Sequence, residues 1–226
     1  MAQPWTVVDQ LPTPEGALEL RQRGPKDFLI VVGGRVLMSS SAFRSELALA
    51  EFACKPLIGK IKPRVLIGGL GMGYTLRAAL DMLPADAEVT VAEINERVVQ
   101  WCRGPLAGLA NDALGDARTQ LHVGDVAALI AQSRACWDAI VLDLYEGPHE
   151  ASQRPDDPFW SKPALSRTYA ALAPGGVLAV WAEDLDPHFV HRLQTGGFGT
   201  VDVHHPGKGG RRHTVYVGRR RQASKP

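Results

Sequence analysis

The 226-residue chain has only three cysteines, almost no net charge (+1), and no apolar run approaching the roughly 18 residues that a membrane span needs. Each scarcity closes a class. Cys54, Cys102 and Cys136 are odd in number and widely spaced, which fits neither a disulfide framework nor a zinc ligand set, so they read as core or surface thiols. Without a long apolar run, no membrane partner is expected. The N-terminus, MAQPWTVVDQ, lacks the basic start and apolar stretch of a secretory signal, and the cytoplasm is the expected compartment. Internal repeats and low-complexity segments are missing too. Acids are absent after Asp202, where Lys208, Arg211, Arg212, Arg219, Arg220, Arg221 and Lys225 follow. With no recognition motif around it, that basic tail reads as a solvated terminus, and nucleic acid is not an expected partner.

What is present suffices for a core: 45% of the residues are hydrophobic, enough for one domain of about 150 to 200 residues with a small appendage. Residues 1–40 read as a β-hairpin region, with ALELRQR and FLIVVGGRVLM as strands and Gly33-Gly34 as a turn. A linking helix is predicted within 41–60, where serines precede Phe43, Leu47, Ala50 and Cys54 at helical spacing and are expected to cap it. From 61 to 226 the pattern becomes α/β. Strands at 64–69, 87–94, 119–124, 137–143 and 176–182 alternate with helices at 73–83, 95–103, 126–133, 161–172 and 186–195. That rhythm predicts a Rossmann-like, mostly parallel sheet, and GTVDVHHP with RHTVYVGR predicts a closing antiparallel hairpin. Short N-terminal hairpins that cannot bury both faces predict a homodimer.

Such sheets bind ligands at the carboxyl ends of their strands, where strand order reverses. Strand one ends in Gly69, Gly71 and Gly73, a G-x-G-x-G turn rather than G-x-G-x-x-G, since position 74 is tyrosine. It lets a ligand approach the backbone and presents a helix start to an anionic group. Strand two ends in Glu93, followed by Ile94, and an acid there is placed to accept both hydroxyls of a ribose in nicotinamide and S-adenosylmethionine (SAM) enzymes alike. After strand three, Gly124 and Asp125 precede Val126: Asp125 is a candidate for an adenine amino group or for the N-cap of the next helix, and Val126 for covering the ring. Strand four closes in Asp143, with Tyr145 and Glu146 on a Gly-Pro loop. An acid at such a place reads as site chemistry. Phe159 and Trp160 are candidates to wall the pocket, and Glu146, Glu150, Asp156 and Asp157 to attract a cation, although most loop acids read as solvated. Glu183 and Asp184 sit on the substrate edge, Asp186 reads as a helix cap, and Trp181 as core. His188, His191, His204 and His205 lack a third fixed ligand, so no metal site is expected.

In order along residues 15 to 185, GGRVLMSS…SE, VLIGGLGMGYTLR, VAEINERVV, VGDVAALI and WDAIVLDLYEGP resemble the spermidine synthase family, the aminopropyltransferases. The resemblance implies a class I SAM-dependent methyltransferase fold for 61–226 and makes Asp143 the acid that helps deprotonate an attacking amine. Two departures stand out. The family's turn usually reads G-G-G-D-G-G, its aspartate binding the amine of decarboxylated SAM, and Met72 is read into that place here. The family's D-S-S-D-P-x-G-P becomes DLYEGP, which keeps Asp143 and puts Glu146 in place of the second aspartate. A carboxylate of SAM facing an aspartate at about 4 Å would cost about 4 kcal/mol at an effective dielectric near 20, and methionine removes that repulsion. On this reading Met72 points to SAM and to methyl transfer onto a small, possibly amine, acceptor, with Asp143, Tyr145 and Glu146 as the catalytic set. Alternatively Met72 fills an apolar gap. Aminopropyl transfer from decarboxylated SAM to a polyamine, and a catalytically silent SAM-binding protein, are the rival expectations.

Overall fold

The computed structural model describes residues 3–145, 147–149, 154–206 and 213–222. Four strands, β1 (Thr6–Thr13), β2 (Gly16–Arg23), β3 (Asp27–Val32) and β4 (Arg35–Ser39), form an antiparallel meander. In β2, Leu18 and Leu20 face the core while Glu19 and Arg21 pair on the other side, the period-two alternation of a half-buried strand. Gly33 and Gly34 both take positive φ, 54° and 84°, as a two-residue hairpin turn requires.

Helix α1 (Arg44–Cys54) links the meander to the rest and buries Leu49, Ala50, Ala53 and Cys54. The serines before it do not cap it. Phe43 holds the N-cap position without a side-chain bond, Ser40 Oγ accepts from the Phe28 amide, and Ser45 Oγ donates to Glu46. These hydroxyls are drawn to tertiary and side-chain partners instead of the helix end.

The second sheet has seven strands in the order β10-β11-β9-β8-β5-β6-β7. The elements in chain order are β5 (Arg64–Gly68), α2 (Tyr74–Met82), β6 (Glu88–Glu93), α3 (Glu96–Arg103), β7 (Thr119–Val123), α4 (Val126–Gln132) and β8 (Trp137–Leu142). Then come α5 (Lys162–Ala171), β9 (Leu172–Ala182), α6 (Phe189–Thr195), β10 (Thr200–His204) and β11 (Thr214–Arg219). Strands β5 to β9 pair in parallel, while β11 pairs antiparallel with both β9 and β10. Every residue of β8 is buried, as expected of a central parallel strand covered on both faces. One core holds α1, α2, α3 and the meander's Leu18, Phe28 and Ile30; the other holds α4, α5 and α6.

Strand β9 begins at Leu172, four residues before its expected start. Arg220 gives a physical reason: its Nη1 donates to the carbonyls of Tyr169 and Ala170 at 3.2 and 3.0 Å and to that of Leu172, tying the end of α5 to the strand. Part of the basic tail is therefore a structural clamp. Lys208, Arg211, Arg212 and Lys225 lie outside the described residues. The three cysteines are free thiols, and burial pushes Cys54 and Cys102 up to about 12. Among the described residues no helix is long and apolar enough to cross a membrane.

Candidate active site

The order of the sheet reverses at β5, which lies between β6 and β8, and the carboxyl ends of these strands form the crevice. The glycine turn after β5 is locked from both sides. The amide of Gly69 donates to Ala92 O at 2.9 Å, and that of Asp143 to Gly68 O at 2.8 Å. Gly69 sits at φ 90°, and a Cβ there would lie 2.1 Å from the Asp143 carbonyl oxygen, so only glycine lets the turn touch the end of β8.

Glu93, 9% exposed, ends β6 with each carboxylate oxygen engaged once: Oε2 accepts from the Leu70 amide at 2.9 Å and Oε1 from the Asn95 amide at 2.8 Å. A carboxylate has about four acceptor sites, so each oxygen has a further lone pair beyond these amide bonds. Asn95 caps α3 by accepting from the Arg97 amide. Ile94 beside it is 76% exposed, an apolar side chain available to a ring. Asp125 Oδ1 caps α4 through the Ala127 amide at 2.8 Å, and the residue is otherwise exposed. Val126 differs from expectation. It packs beneath Gly68 and joins the second core with Leu66, Ala92 and Ile130, so its side chain wedges helix against sheet and does not cover a ring.

Met72 is likewise turned the other way. It is 1% exposed and packs with Leu76, Cys102, Leu106 and Ala110 under the turn. The turn's φ angles set this direction: at Gly71, φ 52°, a Cβ would point at Met38, 2.6 Å from its Sδ, and Met38 lines the neighbouring cavity. The position turned toward Met38 and the cavity is therefore 71 and not 72, and glycine there carries no acid either. The apolar-gap reading of Met72 stands, and its use as a marker of SAM and methyl transfer falls.

Asp143 accepts a hydrogen bond on Oδ2 from Thr75 Oγ1 at 2.5 Å. Burial first, and then the charge of Glu46, push its carboxyl up to about 7 against the lowering effect of the Thr75 bond. Glu46 lies in the first turn of α1, is 7% exposed and accepts from Ser45 Oγ at 2.6 Å. Its own pKa is raised, first by burial, with the Ser45 bond and nearby His213 opposing. Two acids from distant parts of the chain thus face each other at the crevice.

Beside them, β4, the start of α1, the end of β9 and the segment entering β11 enclose a cavity of about 200 Å³, whose wall includes Met38, Glu46, Tyr145, Trp181, Glu183 and His213. Tyr145 is 41% exposed, with the Arg35 guanidinium 5.4 Å from its ring centre, and Arg35 pairs with Glu183 at 2.5 Å. Trp181 packs against the first core, as expected, and its ring also reaches this wall, its centre 5.0 Å from that of His213.

Other expected residues are placed elsewhere. Trp160 packs edge-on against Phe189 at 5.5 Å, so it belongs to the second core and not to a pocket wall. Asp157 is a turn acid, accepting from the amides of Phe159 and Trp160, and Asp156 is exposed. Asp186 accepts from the His188 amide and pairs with Arg192 at 2.6 Å, a structural role. Glu146 and Glu150 lie outside the described residues. Among the described residues no cluster of histidine, cysteine or acid could hold a metal. Glu46, Thr75, Trp181 and His213 are the site residues that sequence reasoning missed or misplaced. Only the SE pair before the sheet signalled one of them.

The family described as Spermine/spermidine synthase domain matches residues 20–193. The polyamine aminopropyltransferase of Synechococcus sp. (strain JA-3-3Ab) is 28% identical over 144 residues, 61% of this chain and 45% of that protein. The spermidine synthase of Coffea arabica is 32% identical over 148 residues, 64% of this chain and 45% of that one. The matched stretches thus span less than half the length of these curated relatives. Among solved structures, spermidine synthase from Thermotoga maritima aligns with a TM-score of 0.72 at 16% identity, over 95% of this chain and 72% of that one. A spermidine synthase in complex with the transition state analogue AdoDATO aligns at 0.71, also with 16% identity and the same coverage. These likenesses show the fold.

Proposed function

The chain belongs to the spermine/spermidine synthase family, and from that membership we propose that it transfers an aminopropyl group from decarboxylated SAM to an amine. The observation that carries the reading is the half-buried acid Asp143, held by Thr75 beside Glu46 at the mouth of the glycine turn. In such a transfer the lone pair of the amine attacks the methylene carbon next to the sulfonium. The carbon–sulfur bond breaks toward sulfur, and methylthioadenosine leaves uncharged. The amine nitrogen must lose a proton, and a carboxylate whose pKa is raised to about 7 is matched to that task near neutral pH. Glu46 adds a second acid to hold a cationic amine in place. Glu93 would bind the ribose, Ile94 the face of the adenine, and the second oxygen of Asp125 its amino group. Gly69, Gly71, Gly73 and Gly124 let the nucleoside approach the backbone.

Methyl transfer from SAM keeps one observation in its favour: the turn carries no acid at position 71 or 72 to meet the ammonium of decarboxylated SAM. Calorimetric titration separates the readings. The aminopropyl reading expects decarboxylated SAM and methylthioadenosine to bind, and SAM to bind at least tenfold more weakly, a difference of about 1.4 kcal/mol. A preference for SAM favours methyl transfer, and binding of none of the three overturns both.

A further inference from the structure

The cavity beside Asp143 contains polar atoms that no protein group satisfies. Trp181 Nε1 and His213 Nδ1 are both buried and without a hydrogen-bond partner, although both residues line the same cavity and their rings are 5.0 Å apart. Buried polar groups are nearly always paired, because an unpaired one has given up its water for nothing. An indole N–H is a donor only, so whatever satisfies Trp181 must bring an acceptor. An alkylammonium ion has none. The same wall is also acidic, with Glu46 on it and Asp143 within reach of its charge. Arg35 and Glu183 also reach the wall, but as an ion pair at 2.5 Å they add no net charge. The lining therefore carries both kinds of partner: acids that suit an ammonium, and buried nitrogens that need an acceptor.

We propose that the acceptor taken by this cavity is an amine that also carries a carboxylate, its ammonium end held by Glu46 and Asp143 and its carboxylate held by Trp181 Nε1 and His213. The proposal rests on the transferase reading above and adds the chemical class of the acceptor. A cavity of about 200 Å³ holds a chain of several heavy atoms, whereas one water needs far less, roughly 30 Å³. An imidazole nitrogen that carries the ring proton is a donor, so His213 Nδ1 can offer a second N–H to the same carboxylate.

Ornithine and putrescine differ by a single carboxylate, and 4-amino-1-butanol offers a neutral oxygen instead. With decarboxylated SAM as donor, methylthioadenosine release from the full chain should show a kcat/KM for ornithine about tenfold or more above that for putrescine, with 4-amino-1-butanol no better than putrescine. Trp181→Phe, which keeps an aromatic ring but deletes the donor, should bring ornithine to within about threefold of putrescine, and His213→Leu should do the same. Thermal melts confirm that each variant is folded. Should one of the two fail to fold, the other carries the comparison. Equal or better use of putrescine by the unmodified chain, or an ornithine preference unchanged in both variants, overturns the proposal while leaving the transferase reading intact. Ornithine binding by calorimetry that is lost in Trp181→Phe, with no methylthioadenosine released from any acceptor, supports the cavity's preference and instead overturns the transferase reading. No binding of ornithine in either assay overturns the proposal.

Discussion

Thr75 Oγ1 donates to Asp143 Oδ2 across 2.5 Å, joining the first turn of α2 to the carboxyl end of β8. The bond holds the acid after β8 over the glycine turn after β5, so the two parts of the candidate site come from adjacent strands. Burial and Glu46 raise this carboxyl while Thr75 moderates the rise.

The first expectation concerns pH. If Asp143 accepts the proton of the amine, kcat/KM should climb with pH through an apparent pKa near 7. Asp143→Asn should reduce kcat about 10²- to 10⁴-fold, the usual contribution of a positioned base. A pH–rate series on both proteins checks this.

Stability should move the opposite way. The carboxyl titrates near its ordinary 3.8 in the unfolded chain and near 7 in the folded one, so the folded state binds the extra proton in between. Stability linked to this group is full below the unfolded value, declines as pH rises toward 7 and is level above it. Asp143→Asn should therefore be more stable than the parent at pH 8, by about 1 to 3 kcal/mol, and lose that advantage near pH 4. Denaturant melts at the two pH values read it directly.

Glu46→Gln should keep the Ser45 hydrogen bond but remove the like charge facing Asp143. The apparent pKa of the rate profile should then fall by about one unit. An unmoved profile would mean that Glu46 does not act on Asp143 electrostatically.

Glu93→Ala should weaken binding of the nucleoside donor by about 2 kcal/mol, the scale for hydrogen bonds to a charged group. It also leaves the Leu70 amide without its acceptor, so a lower melting temperature should accompany the loss. Calorimetry and a thermal melt of one sample give both numbers.

The turn gives a paired test. Met72→Asp buries an unpaired carboxylate among Leu76, Cys102 and Leu106 and should cost about 3 kcal/mol or more of stability. Gly71→Asp instead places an acid toward Met38, at a positive φ that aspartate tolerates. That variant should bind decarboxylated SAM more tightly relative to SAM by about tenfold, since the new charge attracts the ammonium and repels the carboxylate.

Much of this architecture was legible because it rests on local rules. Alternating apolar strands and helices separated by glycine turns forced a mostly parallel sheet, and Glu93, Asp125 and Asp143 each close a strand on the ligand edge. Asp125 was also legible as a cap. The illegible parts are matters of direction and distance. Whether position 71 or 72 faces the ligand depends on φ values inside the turn, which three closely spaced glycines leave open. Glu46 reads as a first-turn helix acid until α1 is laid against α2 and β9. Trp181 lies on a buried strand, and only the edge where β9 meets the segment entering β11 gives it a cavity. Arg220, one of three consecutive arginines, looks like tail until its guanidinium is seen to gather the carbonyls that end α5.

The most direct test of the central claim is the identity of the nucleoside product. The full chain is incubated with an amine mixture and either decarboxylated SAM or SAM, and the reaction is read by mass spectrometry. Aminopropyl transfer predicts methylthioadenosine from decarboxylated SAM at a rate that Asp143→Asn lowers about a hundredfold or more, and no S-adenosylhomocysteine from SAM. S-adenosylhomocysteine formed from SAM, with decarboxylated SAM left unconsumed, would contradict it.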